Sequence, residues 1–184
     1  MKIHGPLYDS RKAELRAQIR QVFPLKPVPR DDEIVTSTFH LDLERDAIKK
    51  FLRGKSWEML TFDTLVHKYR GDDSAILAFS SEIGFLYYFP AFLMLTLNEF
   101  ATSEWMNAYS SIYAFTHYWH KTKMRQPHEI VRINQFSDQQ LKVTREVFEF
   151  VKLEDAHDVA ADEIQKAIEV VNYLLISREA RSST

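Results

Sequence analysis

The sequence predicts an all-α protein folded as a single domain over residues 1–184. Three observations carry this. Apolar residues recur at helical spacing through most segments, the 184 residues contain only four glycines, and Ser, Thr or Asp stand where helices would begin. Alternating apolar and polar runs, which a half-buried strand needs, are scarce. A chain of this length buries roughly 70% of its unfolded surface, so a core can form without staples.

The first helix is expected from about Asp9 to Val22, with Leu15, Ile19 and Val22 on one stripe. Pro24, Pro27 and Pro29 end it, since proline lacks the N–H and disfavours helix in the residue before it. Phe23 to Arg30 is then an extended connector inside the domain, because a single helix cannot form a core. Residues 1–30 are thus a helix plus a Pro-rich connector. A second helix, Leu41 to Arg53, carries Leu43, Ala47, Ile48, Phe51 and Leu52, and Gly54 stops it. Thr61 caps a short helix through Tyr69 that Gly71 closes, and Asp72 or Asp73 caps the segment Ser74 to Phe79.

Ile83 to Asn98 is sixteen residues without a charge. A membrane span needs roughly 20 apolar residues, and this run contains Pro90 and is bounded by Glu82 and Glu99. It predicts two abutting buried helical segments, Ser81 capping the first and Pro90 near the start of the second. About seven helices would surround this apolar element, with no membrane insertion.

Ser103 to Lys123 forms an aromatic helix that Gln126-Pro127 breaks, and Ile130 to Phe136 reads as a short extended piece. Ser137-Asp138-Gln139-Gln140 is a capping box, with Phe136 and Leu141 placed as a hydrophobic staple. Leu141, Thr144, Phe148 and Val151 continue that helix. Asp158 opens a final one along Ile164, Ile168, Val171 and Leu175. Arg178 to Thr184 is a polar tail expected to fray.

The chain has no Cys, which excludes disulfides, thiolate metal sites and thiol nucleophiles. A cytoplasmic location is expected, since Met1 to Pro6 leads into a charged stretch and not into a signal-peptide core. A net charge of −2 supplies no field that would recruit nucleic acid. No serine sits in a Gly-x-Ser-x-Gly elbow and no glycine loop could cradle a phosphate. The expectation is therefore a non-enzyme without a cofactor.

His117 and His120 share a helix face and could hold one metal with His128 or Glu104, but the spacing is looser than a His-Glu-x-x-His site. The helix also carries Trp105, Tyr109, Ile112 and Trp119 on one stripe, read as core. Tyr113, His117 and His120 lie on a neighbouring stripe suited to anchoring a partner. Asp155, Asp158 and Asp162 form an acidic patch at the start of the last helix. Helix dipoles favour negative charge there in any case, and a basic partner would also meet it.

One resemblance adds to this. Leu43-Glu44-Arg45-Asp46-Ala47-Ile48 is followed by Arg53-Gly54-Lys55-Ser56-Trp57, then Tyr87-Tyr88-Phe89-Pro90-Ala91-Phe92, then the capped helix after Phe136-Ser137. This order resembles an uncharacterised family of bacterial helical domains of unknown function, over Leu43 to Leu153. Members show an arginine-glycine-x-x-tryptophan element and a tyrosine-tyrosine-x-proline-alanine-phenylalanine core helix. The chain departs from the pattern at Ser81-Glu82, where threonine-proline is expected, and in the aromatic segment before Phe136. The resemblance implies no catalytic residues. By analogy with small bacterial domains found beside toxins, it implies an immunity protein binding a cognate toxin. A metal-dependent or small-molecule enzyme using His117 and His120 is a second expectation, and a structural or regulatory homodimer a third.

Overall fold

Polar side chains start three helices where the sequence places them, at Thr61, Ser81 and Ser137, and Asp42 opens a fourth. The computed structural model describes residues 5–37, 42–100, 106–122, 132–154 and 160–182, with backbone alone at 106–107, 117–122 and 182. Asp42 accepts from Arg45 N (3.1 Å) to open α3 (Leu43–Leu52). Thr61 accepts from Thr64 N (3.2 Å) to open α4 (Phe62–Lys68), and Ser81 accepts from Gly84 N (3.0 Å) to open α6 (Glu82–Glu99). The capping box is complete at α8 (Asp138–Glu154): Gln140 N donates to Ser137 Oγ at 3.2 Å, and Ser137 N donates to Gln140 Oε1 at 2.8 Å. Each cap satisfies an N–H that the first helical turn leaves without a partner.

The remaining elements are α1 (Pro6–Val22), α2 (Asp31–Ile34), α5 (Ala75–Phe79), α7 (Ser110–Thr122) and α9 (Ala161–Ser182), with 3-10 turns at Trp57–Met59 and Met106–Tyr109. The fold is all-α. Nine named α-helices, against about seven expected, lie among the described residues, Arg132–Asn134 adds a further helical turn, and the extended pairing there is one isolated antiparallel bridge, Val35 with Ser80.

Several expectations need correction. The aromatic helix expected over Ser103–Lys123 is, where described, a 3-10 turn at Met106–Tyr109 and an α-helix only from Ser110. Helix α1 begins at Pro6 rather than Asp9, because proline fits the first helical turn, where no N–H bond is lost. Pro90 lies inside one continuous α6 rather than between two segments. It forfeits one backbone bond, but packing holds the helix through it: Tyr87 to Leu93 are all buried, against α1, α2, α5, α7, α8 and both 3-10 turns. The described part of Ile130–Phe136 is not extended. Arg132 to Asn134 are helical, and Gln135 N and Phe136 N donate to the carbonyls of Arg132 and Ile133. The tail does not fray at Arg178. Its guanidinium donates to Phe136 O (2.6 Å), Asn134 O (2.7 Å) and Asp138 Oδ1 (2.9 Å), and α9 runs to Ser182.

Buried apolar residues from every named α-helix form one cluster, from Leu15 to Leu175. At its heart Phe89 of α6 and Phe136 lie 4.9 Å apart, centroid to centroid. Phe23, Phe85 and Phe115 each approach both rings within 6.1 Å. Such pairs contribute about 0.5–1.5 kcal/mol each beyond area burial. The Pro-rich connector is docked on this core through its carbonyls. Trp57 Nε1 donates to Pro24 O (3.3 Å) and Tyr87 Oη to Leu25 O (2.6 Å), while Gln140 Nε2 holds the last residue of α1 at Val22 O (3.2 Å). Tyr88 Oη likewise reaches Leu52 O (3.2 Å) and Lys55 O (3.3 Å). Among the described residues no helix is long and apolar enough to cross a membrane.

Candidate partner-binding surface

Helix α7 is mostly core. Ser110, Ser111, Ile112, Phe115 and Thr116 are buried, and α7 packs along α9 and against α6. Its buried Ser111 hydroxyl lies 2.6 Å from Thr96 Oγ1, whose hydroxyl also reaches Ala108 O at 2.6 Å. Tyr113 is half-buried, stacked on Tyr109 at 6.1 Å, and Tyr109 lies 4.9 Å from Phe100. It therefore belongs to a ring file fixed to the end of α6 and presents only part of itself outward. His117 and His120 fall on α7, but their side chains lie outside the described residues, as do Glu104, Trp105, His128, Asp155 and Asp158. Asp162 is described, exposed in the first turn of α9. Among the described residues no three His, Asp or Glu side chains converge as metal ligands.

The sequence reading missed the outer face of α9. Ile164, Ile168, Val171 and Leu175 point inward and are buried. On the opposite side, Asp162, Glu169, Tyr173, Ile176 and Ala180 recur at spacings of seven, four, three and four, which puts them on one stripe, and all are exposed. Tyr173 is 57% exposed and Ile176 65%. The stripe is acidic at its N-terminal end, where Glu169 Oε1 accepts from Gln165 Nε2 (3.0 Å), and apolar toward its C-terminal end. Its signal in the sequence is this recurrence on the side of the helix opposite the inward residues.

One buried carboxylate stands apart. The Glu154 side chain, on the last turn of α8, is 6% exposed, and neither oxygen has a hydrogen-bond partner among the described residues. Burial pushes its pKa up to about 7. Lys12 Nζ lies 3.8 Å away and opposes that rise. The same ammonium donates to Tyr8 Oη and Asn98 O, both at 3.4 Å, and burial, followed by the nearby Arg16 charge, pulls its own pKa down. The pair joins α1 to the ends of α6 and α8 inside packed side chains.

Compared with known proteins, the chain matches no family model, no curated protein and no solved structure.

Proposed function

We propose that this chain is a non-catalytic binding protein, a cytoplasmic immunity protein that holds and neutralises a cognate bacterial toxin. The observation that supports this is the exposed face of α9, where two apolar anchors, Tyr173 and Ile176, follow the carboxylates Asp162 and Glu169 along one helix. A protein partner with a basic patch beside an apolar pocket fits such a face. Carboxylates speed the encounter and fix its orientation, and a desolvated tyrosine supplies much of the affinity. Asp155 and Asp158, which precede α9 in the sequence, and Tyr113, His117 and His120 on α7 are secondary candidate anchors. The resemblance carried by Arg53-Gly54-Lys55-Ser56-Trp57 and by Tyr87 to Phe92 belongs to this proposal.

The test is co-expression with a toxin-like reading frame, sought beside the gene, scored by survival and by co-purification. An immunity complex is expected at nanomolar affinity or better, about −12 kcal/mol. Tyr173→Ala with Ile176→Asp should weaken it by roughly 2 kcal/mol or more, and Asp162→Lys with Glu169→Lys should slow association. Survival without a physical complex would point to an enzymatic antidote. No protection by the wild type would remove the immunity reading. Self-association lost in the Tyr173→Ala variant would make the face a homodimer contact.

A further inference from the structure

We propose that a cleft beside the C-terminal half of α6 binds a small uncharged compound, an apolar body carrying one carbonyl-type acceptor. The cleft encloses about 360 Å³, at the small end of ligand sites, which run roughly 300–1,000 Å³. Ala91, Met94, Leu95, Asn98 and Glu99 of α6 line it at spacings of three, one, three and one, a single helical stripe. The buried Leu60, Ala91 and Leu95 form its floor, and the half-buried Phe62 and Met94 line its sides. The interior is apolar and aromatic, which sets the body of the ligand.

The charges on the rim are answered within the protein. Arg20 Nε donates to Glu58 Oε1 at 2.7 Å. Glu99 is itself partnered, and its charge faces the Lys12 ammonium. Asp63 is 72% exposed and stays in water, 3.7 Å from His67 Nε2. An ion entering the cleft would therefore lose hydration without gaining an opposite charge, and the occupant is uncharged. The uncharged polar side chains of the lining are Trp57, Thr61 and Asn98. The Trp57 indole N–H donates to Pro24 O, and the Thr61 hydroxyl accepts from Thr64 N and lies 2.9 Å from Thr64 Oγ1. Asn98 differs. Arg16 Nε donates to its Oδ1 at 2.8 Å, and a guanidinium can only donate, so this contact fixes which end of the amide is oxygen. Its main-chain carbonyl receives Lys12 Nζ at 3.4 Å. The amide NH2 is left with no acceptor among the described residues, a positioned donor on a residue that lines the cleft. A ligand carbonyl completes it. No lining residue lies on α9, so this site and the partner face stand or fall separately.

The experiment is a titration of the full chain, followed by amide shifts at Leu60, Phe62 and Met94, with acetophenone, ethylbenzene, benzoate and benzylammonium as probes of nearly one shape. Saturable binding of acetophenone is expected, roughly tenfold tighter than ethylbenzene, with both ions weaker than acetophenone. Asn98→Asp keeps an acceptor for Arg16 and removes the donor, so it should weaken acetophenone roughly tenfold and leave ethylbenzene unchanged. Met94→Trp should block both. Either ion binding as tightly as acetophenone overturns the uncharged assignment. Ethylbenzene equal to acetophenone, or acetophenone unaffected by Asn98→Asp, overturns the role of the Asn98 donor. No saturable shift with any probe overturns the site itself.

Discussion

Replacing Gly84 by alanine would place a methyl carbon 2.1 Å from the carbonyl oxygen of Ile34, 2.9 Å from its carbonyl carbon and 3.1 Å from Glu33 O. All three are backbone atoms, so no side chain can swing aside. Relief requires α2 to move off α6, and the bonds at that contact go with it. Ser81 N donates to Ile34 O at 3.1 Å, and Ser81 Oγ donates to Glu33 O. Overpacking costs about 1–3 kcal/mol, and each lost hydrogen bond about 1. Alanine returns about 1 kcal/mol through its better helix propensity. The net expectation is a loss of about 2–4 kcal/mol, which for a chain of this size lowers Tm by roughly 5–15 °C. Urea unfolding of wild type and Gly84→Ala measures it, with Gly5→Ala as control, since a Cβ at Gly5 meets nothing within 4 Å. An alanine variant as stable as the wild type would refute the close approach of α2 and α6.

Stability should fall as pH rises from about 4.5 to about 7, because the native state holds the Glu154 proton more tightly than the unfolded chain, where the ordinary value is 4.5. The loss is about 1–2 kcal/mol once the attraction of Lys12 is allowed for, and Glu154→Gln should remove it. Urea midpoints at pH 5 and pH 8 decide, and an identical pH response in the variant would sink the assignment. Tyr88→Ala and Phe92→Ala, both at fully buried positions, should each cost about 3–5 kcal/mol, whereas Tyr88→Phe should cost about 1 by removing the hydroxyl donor near Lys55 O and Leu52 O, the latter keeping its bond from Lys55 N. Arg178→Ala should raise hydrogen exchange at residues 134–138 while leaving α1 unchanged, and uniform protection in both would show the anchor to be dispensable.

Local chemistry was legible in the sequence and tertiary chemistry was not. Thr61, Ser81 and the Ser137–Gln140 box cap their helices as their spacing implies, because a cap is settled within four residues. Pro90 misled because its local penalty is certain, while the packing that absorbs it comes from α1, α7 and α8, far away in the chain. Arg132 to Phe136 misled for the same reason. Its apolar residues suit a strand, yet Ile133 and Phe136 are drawn into the core on a helical turn. Arg178 looked like tail because its partners, Asn134 and Phe136, lie some forty residues earlier. On the candidate surface, Asp162 was found through its position at a helix start. Tyr173 and Ile176 were not legible because apolar residues on a helix read as core until packing shows which of them face outward.

The contacts that hold distant segments together share a trait that bears on how this fold could change over generations. Tyr87, Tyr88, Trp57, Gln140 and Arg178 each grip a main-chain carbonyl, and every amino acid offers the same carbonyl. The bond constrains the gripping side chain but not the side chain of the gripped residue, which is constrained only where it is itself core, as at Leu52 and Phe136. Leu25 and Asn134 can therefore be exchanged with little effect on the frame, provided the backbone path is kept. A library randomised at such receiving positions should stay folded far more often than one randomised at the donors. The connector and the loop before α8 are thereby natural places for new surface chemistry.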